Sequence, residues 1–263
     1  MSETGTGRAS APLALVTGGH RRLGGVIAAH LARAGYALAL HGSHEVDLDP
    51  ALADALVAGD TQWHGFVANF EDPGEAGSLI AQVTEVFGRA PDLLVNSAAL
   101  FGQDRLDDVT AADLTRHYAV NCMAPVLLTK AFAAAGEGQE WHTHNRNIIN
   151  ILDQRLSHPH GDQLSYTLSK QALAGFTQVV ARTLAPHIRV NAVAPGLTIA
   201  TADYSADQLD RLADMMPLER LPLPDQIAQA VVYLAGASAV TGQVLAVDGG
   251  AHMKSFARDF MHL

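Results

Sequence analysis

Cysteine is almost missing from this chain of 263 residues, where Cys122 stands alone. No intrachain disulfide can form, which fits a reducing compartment. Positive charge is scarce too. Seventeen Lys and Arg stand against 27 Asp and Glu, a formal net charge of −10 with no basic block to compensate, so a nucleic-acid or anionic-membrane partner is disfavoured. No uncharged apolar run approaches the roughly 18 residues of a membrane span, and the opening MSETGTGRASAPLALVTGG has no basic region followed by an apolar core. Interdomain linkers, repeats and low-complexity tracts are lacking as well. The expectation is a soluble, cytoplasmic protein that takes a small-molecule ligand.

What is present is enough apolar residue, 48%, for one substantial core. A disordered tail is expected over 1–10, rich in Ser, Thr and Gly, ahead of a single domain over 11–263. Short β-rich runs recur: LALVTG (13–18), YALALH (36–41), WHGFVA (63–68), DLLVNS (92–97), NIINIL (147–152), IRVNAVAP (188–195) and QVLAVDG (243–249). Between them lie helical patterns such as LGGVIAAHLARAG (23–35) and GEAGSLIAQVTEVFG (74–88), closed by Gly35 and Gly88. Runs such as LALV and DLLV lack period-2 alternation, as strands covered on both faces do. The pattern predicts an α/β, Rossmann-type, doubly wound parallel sheet of about seven strands with helices on both faces.

VTGGHRRLGG lies in the first strand-to-helix turn, where a dinucleotide pyrophosphate meets free N–H groups and the positive end of a helix. Thr17, Gly18, Arg21, Arg22, Leu23 and Gly24 are the candidate cofactor residues there. The loop departs from G-x-G-x-x-G, with Arg22 where the commoner pattern has glycine; a tight turn without a ligand is the bland alternative. The second strand ends His41-Gly42-Ser43-His44, with no acid until Glu45. An acid there binds the ribose of NAD and repels the 2′-phosphate of NADP, so its lack, together with Arg21 and Arg22, favours NADP(H). Glu45 turned inward, or arginines that are merely solvated, would remove that preference.

Asp153, Tyr166 and Lys170 fall within LDQRLSHPHGDQLSYTLSK (152–170). Tyr166 and Lys170 share one helical face at i, i+4, and the ammonium is expected to lower the phenol pKa and make a proton donor. With Asn96-Ser97-Ala98-Ala99, Asn121, Pro195-Gly196 and Val247-Asp248-Gly249-Gly250, these motifs make residues 12–250 resemble the short-chain dehydrogenase/reductase family. The resemblance implies hydride transfer from a nicotinamide. Tyr166 would donate the proton, Lys170 would hold the ribose and tune Tyr166, and Asn121 would position a water. It also implies cofactor contacts at His41, Ser43, Asn69, Asn96, Ala98, Pro195, Gly196 and Thr198, and a homotetramer built on helices over about 110–135 and 163–185.

That family usually has a serine thirteen residues before the tyrosine, and here the position is Asp153. A hydroxyl can donate to a developing oxyanion; a carboxylate repels it. An acid suits reduction of a C=N bond, where a proton must reach nitrogen. In this the chain is similar to the pteridine reductases and dihydromonapterin reductases, whose loop reads T-G-x-x-x-R-[LI]-G. The likeness implies that Phe101 stacks a pterin ring, that Arg22 lies near both phosphates and pterin, and that Asp153 and Tyr166 complete the substrate site. Ala99 and His44 depart from that subgroup. The expected function is an NADPH-dependent reductase of a dihydropterin or dihydrofolate-like ring, with residues 197–216 as the substrate loop. A general carbonyl or alcohol enzyme with a protonated Asp153 and a non-catalytic NADP(H) sensor are the rivals.

Blander roles stand beside these: Phe101 as a plain packing residue, and Asp153 as a buried structural acid that caps backbone N–H groups. Cys122 is expected to be a packed thiol, and the pairs His142/His144 and His158/His160 lack the further ligands of a metal site. Met215 and Met216 fit either core or lid.

Overall fold

The computed structural model describes residues 11–45, 47–136, 146–199 and 204–263. The expected tail over 1–10, His142 with His144, and residues 200–203 of the expected substrate loop lie outside the described residues.

Every position of β1 (Leu13–Thr17), β2 (Ala37–Gly42), β4 (Leu93–Asn96), β5 (Arg146–Ile151) and β6 (Ile188–Pro195) is buried. The edge strands β3 (Trp63–Val67) and β7 (Val244–Val247) are partly exposed. The sheet runs β3-β2-β1-β4-β5-β6-β7, and each neighbouring pair is parallel. Alternate side chains leave β1 on opposite faces. Ala14 and Val16 join one apolar layer with Ile27 of α1 (Arg22–Arg33), Leu52 of α2 (Pro50–Ala58) and Val231 of α8 (Pro224–Gly236). Leu13 and Leu15 join the other with Leu79 of α3 (Pro73–Phe87), Leu128 of α5 (Ala124–Ala134) and Ala181 of α6 (Leu164–Thr183). The uniformly apolar strand runs are thus explained by a sheet sandwiched between helices.

Gly35 and Gly88 take left-handed φ of +87° and +69° just past α1 and α3, a conformation in which any Cβ would be strained. The helix expected over about 110–135 is interrupted. It forms as α4 (Ala111–Tyr118), a π-helical turn over Ala119–Met123, and α5. Pro125 has no N–H for the carbonyl of Asn121, so an uninterrupted α ladder cannot pass this point. The sheet order reverses between β1 and β4, and in such sheets a ligand cleft opens beyond the carboxyl ends of the strands at the reversal.

Candidate active site

The loop after β1 forms one wall of that cleft. Gly18 has φ +63°, and a Cβ there would stand 3.1 Å from the Ala98 Cα. A Cβ on Gly24 would lie 2.0 Å from the Gly18 carbonyl oxygen. Arg22 replaces glycine yet keeps its backbone, at φ +53°. Its N–H donates to Asp49 Oδ2 at 2.7 Å, which holds the strained residue in place. Thr17 turns away from the cavity. Its hydroxyl donates to the Val95 carbonyl and accepts the N–H groups of Ser97 and Ala98, both at 3.0 Å, tying the end of β1 to the end of β4.

His41 supports the loop from behind. Its Nδ1 accepts the Gly18 N–H at 3.3 Å, its Nε2–H donates to the Ala68 carbonyl at 2.9 Å, and its ring stacks on Phe70 at 4.1 Å. Burial brings its pKa down to about 4, so the ring is neutral.

The cavity, about 670 Å³, brings together Gly18, Arg21, Arg22, Leu23, Gly24, His41, Ser43, Asn69 and Ala98 from one side, and Pro195, Gly196 and Thr198 from the other. Phe101, Asp153, Tyr166 and Lys170 line it between them. The arrangement fits a dinucleotide: the N-terminus of α1 faces the cavity, its N-cap makes no side-chain capping bond and its first turn has no acid. Glu45 and Asp47 are exposed and outside the cavity, so neither of these acids after β2 turns inward. Among the expected cofactor residues Thr17 and Asn96 do not line the cavity; the Asn96 amide donates to Asn150 Oδ1 at 2.8 Å.

Asn121 does not reach the cavity with its side chain either. Fully buried in the π-helical turn, it accepts the Leu100 N–H at 2.7 Å and donates to the Leu100 carbonyl at 2.9 Å and to Ser169 Oγ at 3.0 Å. With its amide committed, it braces the Phe101 loop against α6, and the side chain itself is not free to hold a water.

Tyr166 donates its hydroxyl proton to Asp153 Oδ2 at 3.0 Å. Asp153 Oδ1 accepts from the Arg155 N–H at 2.9 Å and from its Nε at 3.3 Å. Phe101 meets Tyr166 edge to face with centroids 4.9 Å apart, at 71°. Lys170 donates to the Ile151 carbonyl at 2.7 Å, its Nζ 5.8 Å from the Tyr166 ring centre.

The electrostatics correct one expectation. The Tyr166 pKa is not lowered by Lys170; burial, and then the Asp153 carboxylate, push it well above the ordinary phenol value. Lys170 is itself brought down to about 8 by burial, opposed by Asp153. The cation that draws the phenol back down is Arg155.

Sequence reasoning passed over Arg155, Gln163, Asp259 and Asp49. Arg155 makes further bonds to Gln163 Oε1 and Asp259 Oδ2, both at 2.8 Å. Its position two residues after Asp153 was the one local signal. His158 and His160 do not line the cavity; His158 Nδ1 lies 3.1 Å from the His252 carbonyl, and His160 sits 4.0 Å from Asp162 and 3.9 Å from Asp259. Burial pushes the Cys122 thiol pKa up, as for a packed thiol. Met216 is buried against Leu212 and Phe260, and Met215 is partly exposed.

Residues 19–252 match the family model described as enoyl-(acyl carrier protein) reductase. The chain belongs to the short-chain dehydrogenase/reductase family. It is an oxidoreductase of the NAD(P)-dependent type. A putative ketoacyl reductase of granaticin polyketide synthase from Streptomyces violaceoruber is 31% identical over 92% of this chain and 97% of its own. Pteridine reductase 1 of Leishmania tarentolae is 30% identical over 92% and 96%. Among solved structures, the FolM alternative dihydrofolate reductase 1 from Brucella canis, complexed with NADP, superposes with a TM-score of 0.82 at 34% identity, covering 92% of this chain and 95% of that one. No described helix is long and apolar enough to cross a membrane.

Proposed function

We propose that this chain is an NADPH-dependent reductase of the C=N bond in a dihydropterin or dihydrofolate-like ring. The observation that carries this reading is the hydrogen bonding of Asp153. Both of its oxygens face donors, Oδ1 the Arg155 N–H and guanidinium and Oδ2 the Tyr166 hydroxyl, so the group serves as an acceptor where a ketone reductase needs a hydroxyl that donates to an oxyanion.

When bound, NADPH supplies the hydride that goes to a ring carbon. The chain's own residues supply the rest. Tyr166, its hydroxyl shared with Asp153, delivers a proton to the ring nitrogen. Phe101, about half exposed at the cavity wall, offers its free area to a flat heterocycle, an offset stack contributing about 0.5–1.5 kcal/mol beyond burial. Arg21, Arg22, Ser43 and His44 line the same cavity, and no acid from the end of β2 does, which favours the 2′-phosphate of NADP over the bare ribose of NAD. The names of the Leishmania and Brucella relatives agree with this reading; that of the Streptomyces relative points to the ketone alternative. The homotetramer expected from the family would cover the exposed Val179 on α6 and Tyr118 and Met123 beside it.

The test is NADPH oxidation by the purified protein with dihydrobiopterin, dihydromonapterin and dihydrofolate beside a panel of ketones, wild type against Asp153→Ser. Pterin turnover that collapses in the variant supports the assignment. Ketone turnover that survives or rises in the variant overturns it.

A further inference from the structure

Asp153 is only partly buried, with 18% of its side chain exposed. Its Oδ1 caps the Arg155 main-chain N–H at 2.9 Å, and its usefulness depends on the other oxygen facing Tyr166. The group that fixes it is Arg155, 7% exposed. Three guanidinium nitrogens have three different partners: Nε takes Asp153 at 3.3 Å, one terminal nitrogen takes Gln163 at 2.8 Å and the other takes Asp259 at 2.8 Å. A planar fork held at three points has one orientation. Gln163 is in turn bonded to Gln103 at 2.9 Å, on the loop that carries Phe101.

Asp259 comes from far along the chain and is fixed as firmly. It is 4% exposed. Its N–H donates to Asp162 Oδ2 at 3.0 Å, beside the Arg258 Nε at 2.8 Å, and its own Oδ1 caps the Met261 N–H at 3.0 Å. The amide of Gln208, on α7 (Ala206–Met215), reaches the carbonyls of Phe260 at 3.2 Å and of Met261 and Leu263 at 3.3 Å. Phe260 and Met261 line the same cavity as Asp153. Burying Arg155 alone would be costly; burial pulls its pKa down, but Asp153, Tyr166 and Asp259 together outweigh that pull.

We propose that Arg155 is a positioning residue of the reaction centre, and that the segment carrying Asp259 sets it, so that seating of this segment in the cavity wall, where Gln208 of α7 holds it, aligns Asp153 with Tyr166. The proposal deepens the function above and rests on its reading of Asp153 and Tyr166 as the proton-delivering pair. Asp259 makes no hydrogen bond to Tyr166; it bonds to Arg155, and its charge also helps to hold the Tyr166 pKa up. The chain thereby links the cover of the substrate cavity to the aim of the proton donor.

The test compares Arg155→Met, Arg155→Lys, Asp259→Asn and the double variant Arg155→Met/Asp259→Asn in the full chain. Steady-state kinetics are run on whichever substrate class wild type reduces, with NADPH affinity from fluorescence titration. The Tyr166 ring is followed by NMR with tyrosine labelled at 13Cζ, its resonance assigned by its loss in Tyr166→Phe. Arg155→Met is expected to lower kcat about 100-fold with NADPH affinity within about twofold of wild type. Arg155→Lys should recover part of that loss, because an ammonium still pairs with Asp153. Asp259→Asn should lower kcat about tenfold, shift the Tyr166 resonance in the same direction as Arg155→Met, and add nothing in the double variant.

An unmoved Tyr166 resonance in Asp259→Asn, or additive losses in the double variant, would overturn the proposal even if pterins are the substrate. Coupling between Asp259 and Tyr166 in a protein that reduces only ketones would keep the proposal and remove the pterin reading; absence of any turnover would overturn both. Should Arg155→Met fail to fold, the Tyr166 resonance in Asp259→Asn and the additivity of losses in the double variant Arg155→Lys/Asp259→Asn decide instead.

Discussion

The Tyr166 hydroxyl and Asp153 Oδ2 lie 3.0 Å apart, thirteen residues from each other in the chain, with the tyrosine on α6 and the aspartate just beyond β5. The pair spans the junction of sheet and helix at the cavity wall. Removing the hydroxyl with Tyr166→Phe is expected to cut turnover about 10²–10⁴-fold, the range for a general acid. NADPH affinity should be preserved, since the ring and its edge-to-face contact with Phe101 remain. Stopped-flow turnover and a fluorescence titration of the same preparation check both halves; retained turnover sinks the assignment of Tyr166.

His41 makes stability depend on pH. Its pKa in the fold is about 4, lowered by burial, against about 6.5 in an unfolded chain. Between those values the unfolded chain binds the extra proton and the fold does not, so stability is full above about pH 6.5 and falls as pH drops toward 4. The loss is at most about 3 kcal/mol. His20 and His160, both lowered chiefly by burial, act in the same direction. Urea midpoints from pH 7.5 to 4.5 should fall in wild type and fall less in His41→Asn; equal slopes would remove His41 from the account.

Arg22 holds a backbone conformation that suits glycine. Arg22→Gly relieves about 1–2 kcal/mol of left-handed strain and gives back about 0.5–1 kcal/mol in unfolded-chain entropy. The Asp49 carboxylate still receives the main-chain N–H. The variant should melt slightly higher than wild type and bind NADPH about 10–100-fold more weakly, as loss of one charged hydrogen-bond donor implies. Scanning calorimetry and titration measure the two effects separately, and a lower melting temperature would show that the arginine side chain stabilises the fold.

Gly24→Ala tests the cradle. With a Cβ 2.0 Å from the Gly18 carbonyl oxygen, the loop must move for the variant to fold, and the movement displaces the first turn of α1 from the cavity. NADPH binding is expected to weaken by at least tenfold while far-UV circular dichroism stays native-like. Unchanged affinity would mean that the loop is not the phosphate cradle.

Most of the fold was legible because its strands are apolar without alternation and its helices end on glycines such as Gly35 and Gly88. The break between α4 and α5 was foreshadowed only by Pro125, and a proline near a helix start reads equally well as an ordinary first-turn residue. Asp153, Tyr166 and Lys170 were legible by spacing. What spacing could not convey was burial, which is the largest cause of the raised Tyr166 pKa. Asn121 was found by motif, but the commitment of its amide to Leu100 and Ser169 depends on how the loop folds back. Arg155 and Asp259 are 104 residues apart, and no local pattern marks a pair at that distance.

Thr17 presses the same point from the other side of the cavity. Its hydroxyl is fixed by residues 80 and 81 positions further along, because β1 pairs with β4 and not only with β2. No contiguous stretch of the chain contains a finished site. Helices can return early when the denatured protein is diluted into buffer, whereas contacts of such long sequence separation close late. Recovery of turnover should therefore trail recovery of the helical signal, and the interval between them would time the closing of the sheet.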